Sequence, residues 1–221
     1  MKYKLVIFDM DGTILNTLED LTDSVNYSME KMNFPKHTLD EVRYFLGNGI
    51  AKLIERSLPK NTEKSIYEVE LSEFTKYYKT HSAIKTAPYD GIKELLKKLK
   101  ENGVITAVNT NKIESAAIDL CDDYFPALFD IIIGNKKDVP PKPAPDGIYE
   151  IIEKASELKN EKIQKKDIAY VGDSDVDLKT GINAGVNVIG VNWGFRGKDF
   201  LLKNGAQTVV MNTQELFDLC K

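Results

Sequence analysis

Two pairs of aspartates in this chain lie just after apolar runs that are typical of buried strands. Asp9 and Asp11 directly follow Leu5–Phe8, and Asp173 and Asp177 follow a second run later in the chain. Carboxylates placed where a buried strand ends are costly unless a cation lies between them. Their oxygens suit a hard cation such as Mg²⁺, so the two pairs predict a magnesium site. A plain turn at the first pair, and capping of the following helix by Asp173 or Asp175, are the alternatives.

Residues that suit a bound anion lie beside these carboxylates or beyond another apolar run. Gly12 permits tight backbone geometry, and the Thr13 hydroxyl could face an oxyanion. Thr110 and Asn111 belong to a polar stretch after the run 104–108, where we expect hydroxyl and amide groups at the N-terminus of a helix. Such a terminus is a natural phosphate site, so the sequence predicts that this stretch binds an anion such as phosphate.

Lys142 lies in the proline-rich stretch 140–145. Prolines restrict the backbone there, so a lysine in this connection can hold a positive charge in place beside an anion. Taken alone, Lys142 is more typical of an exposed surface lysine. His37 and His81 both lie in the helical segment described below and form no cluster with cysteines, so the sequence does not indicate a zinc site.

The elements that must position these residues alternate between strands and helices. The apolar runs 5–8, 104–108, 131–133, 168–171 and 186–191 are rich in β-branched residues, as in strands that are buried on both faces. Helical patterns lie between them, which is the order of βαβ units in a parallel sheet. Ligands bind at the carboxyl ends of such strands, and the polar residues above follow those ends.

The segment 16–86 breaks this alternation, because it contains no convincing strand. Its helical patterns are 17–32, 39–46, 49–57 and 63–80. We therefore expect an α/β core formed by 1–15 and 87–221, with an all-helical domain inserted after the first strand.

Composition excludes several classes of protein. The 221 residues are 42% hydrophobic, as in ordinary globular domains. The net charge of −4 argues against nucleic acid as a partner, and two cysteines are too few for a disulfide scaffold and indicate a reducing compartment. The first apolar run is too short for a signal peptide, and no window approaches a membrane span. We expect a cytoplasmic protein without a membrane partner.

The four polar elements, in this order, resemble the motifs of the haloacid dehalogenase-like superfamily of phosphohydrolases. The stretch 9–13 (Asp-Met-Asp-Gly-Thr) is similar to the first motif, Thr110 to the second, Lys142 to the third and the stretch 172–177 to the fourth. The resemblance covers nearly the whole chain. It implies a Rossmann-like parallel sheet and identifies 16–86 as a helical cap.

The resemblance also implies a role for each residue in phosphoryl transfer. Asp9 would attack phosphorus and form an aspartyl-phosphate, and Asp11 would protonate the leaving alcohol and then activate water. Thr110 and Lys142 would bind the phosphoryl oxygens, with Asn111 in the same phosphate-binding set. Relatives that remove halide lack the second aspartate, so the presence of Asp11 favours phosphoryl transfer.

The implied metal ligands are Asp9, the backbone carbonyl of Asp11, and Asp173. Asp177 would orient the site rather than bind Mg²⁺ directly. Gly12 and Thr13 would lie against the phosphate.

Within the superfamily, the chain most resembles phosphoglycolate phosphatases. Gly47, Asn48 and Gly49 in the cap would contact the substrate; a turn between two helices is the alternative. We expect a Mg²⁺-dependent phosphatase of a small phosphorylated metabolite, as a monomer or homodimer. A β-phosphoglucomutase-like transferase is disfavoured because 14–24 contains no histidine. Relatives that share this core and cap hydrolyse pyrophosphate, so a pyrophosphatase is an alternative. A non-catalytic regulator that only binds phosphate is disfavoured because no catalytic residue of the motifs is missing.

Overall fold

The computed structural model describes residues 1–221, which form two compact units. One unit comprises Met1–Leu15 and Pro88–Lys221, and the other is Asn16–Ala87. The chain crosses between them twice, at the two-residue strands Leu15–Asn16 (β2) and Ala87–Pro88 (β3). None of the helices combines the length and the apolar character that crossing a bilayer requires.

The larger unit is built on a six-stranded parallel sheet with the order β5-β4-β1-β6-β7-β8. Its strands are β1 (Leu5–Phe8), β4 (Ile105–Ile113), β5 (Ile131–Asn135), β6 (Ile168–Gly172), β7 (Asn187–Val191) and β8 (Val209–Val210). The predicted α/β fold with a parallel sheet is thereby confirmed. Its helices are α5 (Ile92–Glu101), α6 (Glu114–Tyr124), α7 (Asp146–Lys159), α8 (Asp175–Ala184), α9 (Gly197–Lys203) and α10 (Thr213–Cys220).

Strand β1 is buried on both faces because its side chains alternate between two apolar clusters. Val6 and Phe8 belong to one cluster, whereas Leu5 and Ile7 belong to the other. All four side chains have no exposed surface. A strand with this burial reads as a continuous apolar run, which explains why the sequence marked it clearly.

Strand β4 is longer than the sequence analysis predicted. The stretch 109–112 was expected at the start of a helix, but it lies inside β4, and α6 begins only at Glu114. The physical reason is pairing with β5: Asn109 lies opposite Ile133, and Ile113 lies opposite Asn135, with an irregular register between the two pairs. Backbone hydrogen bonding to a neighbouring strand thus overrides the polar character of these residues.

The last part of the sheet was not predicted from the sequence. Strand β8 has only two residues, Val209 and Val210, which is too short for a periodic signal. Helix α10 does have a capping residue that is visible in the sequence. Asn212 is its N-cap, and the Asn212 side chain accepts a hydrogen bond from the backbone N–H of Glu215.

The smaller unit is entirely helical apart from its terminal residues. Its helices are α1 (Leu18–Lys31), α2 (Leu39–Phe45), α3 (Gly49–Ser57) and α4 (Lys64–His81). Each lies within one residue of its predicted ends. The Asp20 carboxylate, on α1, accepts hydrogen bonds from the backbone N–H groups of Lys85 and Thr86, at 3.0 and 2.8 Å. These bonds fix the chain just before it leaves the unit.

One buried carboxylate in this unit has no charged partner. Glu70, on α4, has no exposed surface, and neither of its carboxylate oxygens accepts a well-formed hydrogen bond. The neighbouring Ser28 hydroxyl donates to the Val25 carbonyl oxygen at 2.9 Å, and its interaction with Glu70 lowers the pKa of that carboxyl less than burial raises it. Burial raises the pKa of Glu70 above its usual range.

We expect Glu70→Gln to stabilise the chain at neutral and alkaline pH. The pKa of Glu70 is higher in the folded state than the unfolded value of 4.5. Its contribution to the free energy of unfolding is therefore fully present below pH 4.5 and is lost as pH rises through the folded pKa. Glutamine does not ionise, so its advantage, roughly 1–3 kcal/mol, should shrink as pH falls toward the unfolded value. Melting temperatures from pH 4 to 8 measure this, and Glu68→Gln, an exposed position on the same helix, is the matched control. Equal pH profiles of Glu70→Gln and wild type would contradict the prediction.

Candidate active site

The order of the strands brings the predicted site residues together. Strand β1 lies between β4 and β6, with Phe8 opposite both Val108 and Val171. Asp9 follows β1 directly, and its backbone N–H donates to the Val171 carbonyl oxygen at 2.8 Å. Thr110, near the end of β4, and Asp173, after β6, therefore lie on strands that flank Asp9 at the same edge of the sheet.

Lys142 is buried in this site and is not a surface lysine. Its Nζ donates to Asp9 Oδ1 at 2.6 Å and to Asp177 Oδ1 at 2.8 Å. The Lys142 side chain is only 6% exposed, so both ion pairs lie in a weakly screening environment. The connection that follows β5 thus places one positive charge between Asp9, directly after β1, and Asp177, in the first turn of α8.

Crowding of the carboxylates shifts their protonation. Burial and the charge of Asp177 raise the pKa of Asp9 to about 7, although Lys142 opposes the shift. Burial, with the charges of Asp177 and Asp9, also raises the pKa of Asp173 well above its usual range. Burial lowers the pKa of the Lys142 ammonium group, because it disfavours the charged form. The negative charges of Asp177 and Asp9 outweigh this effect, so the pKa lies above its usual value. The site therefore has more negative charge than its lysine can balance.

Asp173 is held by residues that are distant in the sequence. The backbone N–H of Phe195 donates to Asp173 Oδ2 at 2.7 Å. A Cβ on Gly12, whose φ is +89°, would lie 2.5 Å from that same oxygen, and a Cβ on Gly194 would also collide with the Asp173 side chain. Both glycines are needed for the close approach of main chain to this carboxylate.

Thr13 also supports Asp173 in this structure. Its hydroxyl lies 3.4 Å from Asp173 Oδ1, to which it can donate, and Thr13 has no exposed surface. From the sequence, this hydroxyl is predicted to face a bound oxyanion; its observed partner is a carboxylate. The Trp193 indole N–H donates to the Thr13 carbonyl oxygen at 3.0 Å, which ties the 193–195 loop to the loop after β1.

Asp177 has donors on both of its oxygens. Oδ1 accepts from Lys142 and, at 3.3 Å, from the Tyr170 hydroxyl. Oδ2 accepts from the Ser174 hydroxyl at 2.6 Å and the Ser174 backbone N–H at 3.1 Å. Ser174 is the N-cap of α8, with Asp177 as its reciprocal partner. The interpretation that Asp173 or Asp175 caps this helix is therefore wrong, and the Ser-x-x-Asp spacing was the signal to use.

Asn111 positions the Lys142 backbone. Its Oδ1 accepts from the Lys142 N–H at 2.8 Å, and its Nδ2 donates to the Lys142 carbonyl at 3.2 Å. The side chain predicted to contact phosphate is thus engaged with the loop that carries the lysine. Thr110 differs, because its Oγ1 accepts from the Lys112 N–H at 3.2 Å and keeps its own proton for another acceptor.

Asp11 lies beside a second buried lysine. Lys112 Nζ is 3.2 Å from Asp11 Oδ1, and the Lys112 side chain is only 3% exposed. Lys112 has no role among the residues predicted from the sequence. Its position in a polar strand end was a weak signal, since most lysines in such places are exposed.

The donor set fits a divalent metal ion. Carboxylate oxygens of Asp9, Asp173 and Asp177 all lie within 4.8 Å of one another. With Asp11, the site has four carboxylates and the two buried lysines described above, which is an excess of two negative charges when all four carboxylates are ionised. A hard divalent cation with oxygen ligands would balance that excess. Asp9 and Asp173 suit direct binding better than Asp177. Each Asp177 oxygen accepts from two protein donors, whereas each Asp173 oxygen accepts from one and Asp9 accepts from Lys142 on Oδ1 alone.

The predicted cap loop is a connection within the smaller unit. Gly47 and Gly49 have φ values of 113° and 79°, in the region that favours glycine. Asn48 Oδ1 accepts from the Arg56 guanidinium at 2.6 Å, and the same guanidinium donates to the Phe45 carbonyl oxygen at 2.6 Å. Arg56 therefore fixes the conformation of this loop from α3.

The chain is similar to known proteins over most of its length. Residues 6–191 match the family model described as haloacid dehalogenase-like hydrolase. A phosphoglycolate phosphatase from Haemophilus influenzae is 32% identical over 205 residues, covering 88% of each chain. A phosphoglycolate phosphatase from Aquifex aeolicus is 28% identical over 193 residues, covering 87% of this chain and 86% of the relative.

A solved structure has the same fold along its whole length. It is a crystal structure of a candidate phosphoglycolate phosphatase from Lactobacillus delbrueckii subsp. bulgaricus, with a TM-score of 0.92 and 33% sequence identity. The match covers 100% of this chain and 99% of that one. The likeness therefore extends over both units of the chain.

Proposed function

This chain belongs to the haloacid dehalogenase-like hydrolase family, and we propose that it is a Mg²⁺-dependent phosphatase that acts on a small, phosphoglycolate-like ester through an aspartyl-phosphate. That it is a phosphoric monoester hydrolase follows from its family and from relatives about 30% identical over nearly the whole chain. The metal, the substrate and the residue roles are the proposed part.

The single observation that carries the mechanism is the Lys142–Asp9 ion pair. Lys142 Nζ binds Asp9 Oδ1 at 2.6 Å, which orients the carboxylate and leaves Oδ2 as the proposed nucleophilic oxygen. The same ammonium is a fixed charge next to the point of attack, where it can bind a phosphoryl oxygen as negative charge develops. Thr110, whose hydroxyl proton is available, is the second proposed donor to that group.

The proposed reaction has two balanced steps. In the first, Asp9 Oδ2 bonds to phosphorus while the ester P–O bond breaks, and the leaving oxygen takes a proton from Asp11. In the second, water loses a proton to Asp11 and attacks phosphorus, the P–O bond to Asp9 breaks, and inorganic phosphate is released. Asp11 ends in the protonation state in which it began.

We propose that Asp9, Asp173 and the backbone carbonyl of Asp11 hold the Mg²⁺. When bound, the ion supplies positive charge that stabilises the phosphoryl oxygens and offsets the repulsion between the carboxylates. The Phe195 N–H, Gly12 and Gly194 keep Asp173 in place, and Asp177 positions Lys142.

The loop 47–49 is our proposed contributor to substrate choice. Two glycines with positive φ leave its backbone uncovered by side chains, and Arg56 fixes its shape. A domain that covers a phosphatase site excludes water and adds contacts to the part of the substrate that is not transferred.

A panel of phosphorylated metabolites, assayed with Mg²⁺ and with a chelator, tests the proposed function. We expect phosphate release that requires Mg²⁺ and is greatest on small esters such as phosphoglycolate. Pyrophosphate and glucose phosphates belong in the panel, since preference for either would favour a pyrophosphatase or a phosphoglucomutase-like transferase. Phosphate binding without turnover on any ester would overturn the proposal.

We expect Asp11→Asn to slow phosphorylation on an alkyl phosphate far more than on p-nitrophenyl phosphate. An alkoxide leaving group needs a proton, and losing general acid catalysis costs about 10²–10⁴-fold. Nitrophenolate leaves without such help, so its rate should change much less. Single-turnover measurements on both esters give the comparison. Equal losses on the two substrates would show that Asp11 is not the general acid.

A further inference from the structure

Lys112 forms a buried ion pair that the mechanism above leaves without a role. The residue lies near the end of β4, and its Nζ is 3.2 Å from Asp11 Oδ1. An ammonium group that is 3% exposed is costly to bury unless an opposite charge lies next to it. Asp11 provides that charge in its ionised form, which it takes between the two steps of the proposed reaction.

The two oxygens of Asp11 have different environments. Oδ1 is buried and has no hydrogen-bond donor, so the adjacent Lys112 ammonium is the group that compensates its burial. The Asp11 side chain as a whole is nevertheless 25% exposed. The accessible part of the carboxylate is therefore on the side of Oδ2.

The Asp11 backbone is held separately by the turn after β1. The Met10 carbonyl oxygen accepts hydrogen bonds from the N–H groups of Ile14 and Leu15, at 3.0 and 3.1 Å, and the Gly12 N–H donates to the Leu15 carbonyl at 2.9 Å. The remaining freedom at Asp11 is the rotation of its side chain. The ion pair with Lys112 restrains that rotation.

We propose that Lys112 is a positioning residue, which holds Asp11 so that Oδ2 faces the leaving group of the substrate. This inference rests on the proposed phosphatase function and extends it. Each carboxylate that takes part in the chemistry then has its own buried lysine: Lys142 orients Asp9 for attack on phosphorus, and Lys112 orients Asp11 for proton transfer.

Under this proposal, the polar residues 110–112 of β4 have different roles in the site. Thr110 keeps a hydroxyl proton for the phosphoryl group, Asn111 holds the Lys142 backbone, and Lys112 holds Asp11. Three successive residues therefore act on three different parts of the site. Their placement depends on β4 continuing to Ile113.

The test is the rate of phosphorylation of Lys112→Met on two substrates, 2-phosphoglycolate and p-nitrophenyl phosphate, with Mg²⁺ present. We expect a loss of about 10–100-fold on the alkyl ester, less than full loss of general acid catalysis, and a much smaller loss on the aryl ester. A residue that only supports the fold would reduce both rates equally, and that result would overturn the proposal.

A second comparison removes folding from the question. In Asp11→Asn, the group that Lys112 positions is already disabled, so adding Lys112→Met should change neither substrate's rate by more than about twofold. The double variant also lacks both charges of the pair and leaves no unpaired buried carboxylate at this position. A further loss of tenfold or more in the double variant would overturn the proposal.

The same measurements separate this inference from the proposed function. If wild type is active and Asp11→Asn shows the dependence on leaving group but Lys112→Met does not, only the role of Lys112 is wrong. If wild type releases no phosphate from either ester, the proposed function fails, and the inference fails with it.

Discussion

Asp9→Asn is expected to reduce turnover on every phosphate ester by about 10⁴-fold or more. An amide has nearly the size and the hydrogen-bonding capacity of the carboxylate, but its oxygen is a poor nucleophile and a weaker ligand for Mg²⁺. Both losses act on the first chemical step, so no choice of leaving group should rescue the variant. Steady-state phosphate release, with wild type measured alongside, gives the result.

The folded state of Asp9→Asn is the necessary control. Burial and Asp177 raise the pKa of Asp9 to about 7, so the charged carboxylate is unfavourable when no metal is bound. The neutral amide removes one of several repelling charges and can still accept from Lys142. We therefore expect a melting temperature no lower than that of wild type in metal-free buffer. Turnover within tenfold of wild type would contradict the aspartyl-phosphate mechanism.

Lys142→Met is expected to damage both stability and catalysis. Removing the ammonium leaves Asp9 and Asp177 buried without their common cation, and breaking a buried pair in this way costs about 3–5 kcal/mol. Losing a fixed charge at the phosphoryl group should also lower kcat by about 10²–10³-fold. Denaturant unfolding and single-turnover kinetics measure the two effects separately.

Lys137→Met is the matched control for that variant. Lys137 lies in the same connection between β5 and α7 and is exposed, so we expect stability and kcat close to those of wild type. A Lys142→Met variant with wild-type stability would mean that its ion pairs contribute nothing. One with wild-type kcat would remove Lys142 from the proposed mechanism.

The sequence alone was sufficient for the features that depend on local patterns. Strands such as Leu5–Phe8 are buried on both faces, so their continuous apolar sequence identifies them without knowledge of the neighbouring strands. The helices of the smaller unit have periodic apolar residues over 7 to 18 positions, and their ends follow glycine, proline and capping signals. The aspartates after β1 and β6 also stood out, because charge is rare beside such runs.

The sequence could not show which hydrogen-bond partner each polar side chain of the site has. Asn111 and Thr13 were assigned to a bound phosphate because amides and hydroxyls suit it, yet their partners are Lys142 and Asp173. The choice between a ligand and another part of the protein depends on which loops lie nearby. That proximity arises only when strands distant in the chain pair in one sheet.

What the sequence determined by itself is the α/β fold, the helical segment and the set of residues available for chemistry, since each follows from burial and periodicity within one stretch of chain. Only the tertiary structure decided the charge pairs. Lys142 is 133 residues from Asp9, and Lys112 meets Asp11 because β4 pairs beside β1. A lysine is costly to bury alone and stable beside a carboxylate, so its role is set by the neighbour that folding supplies.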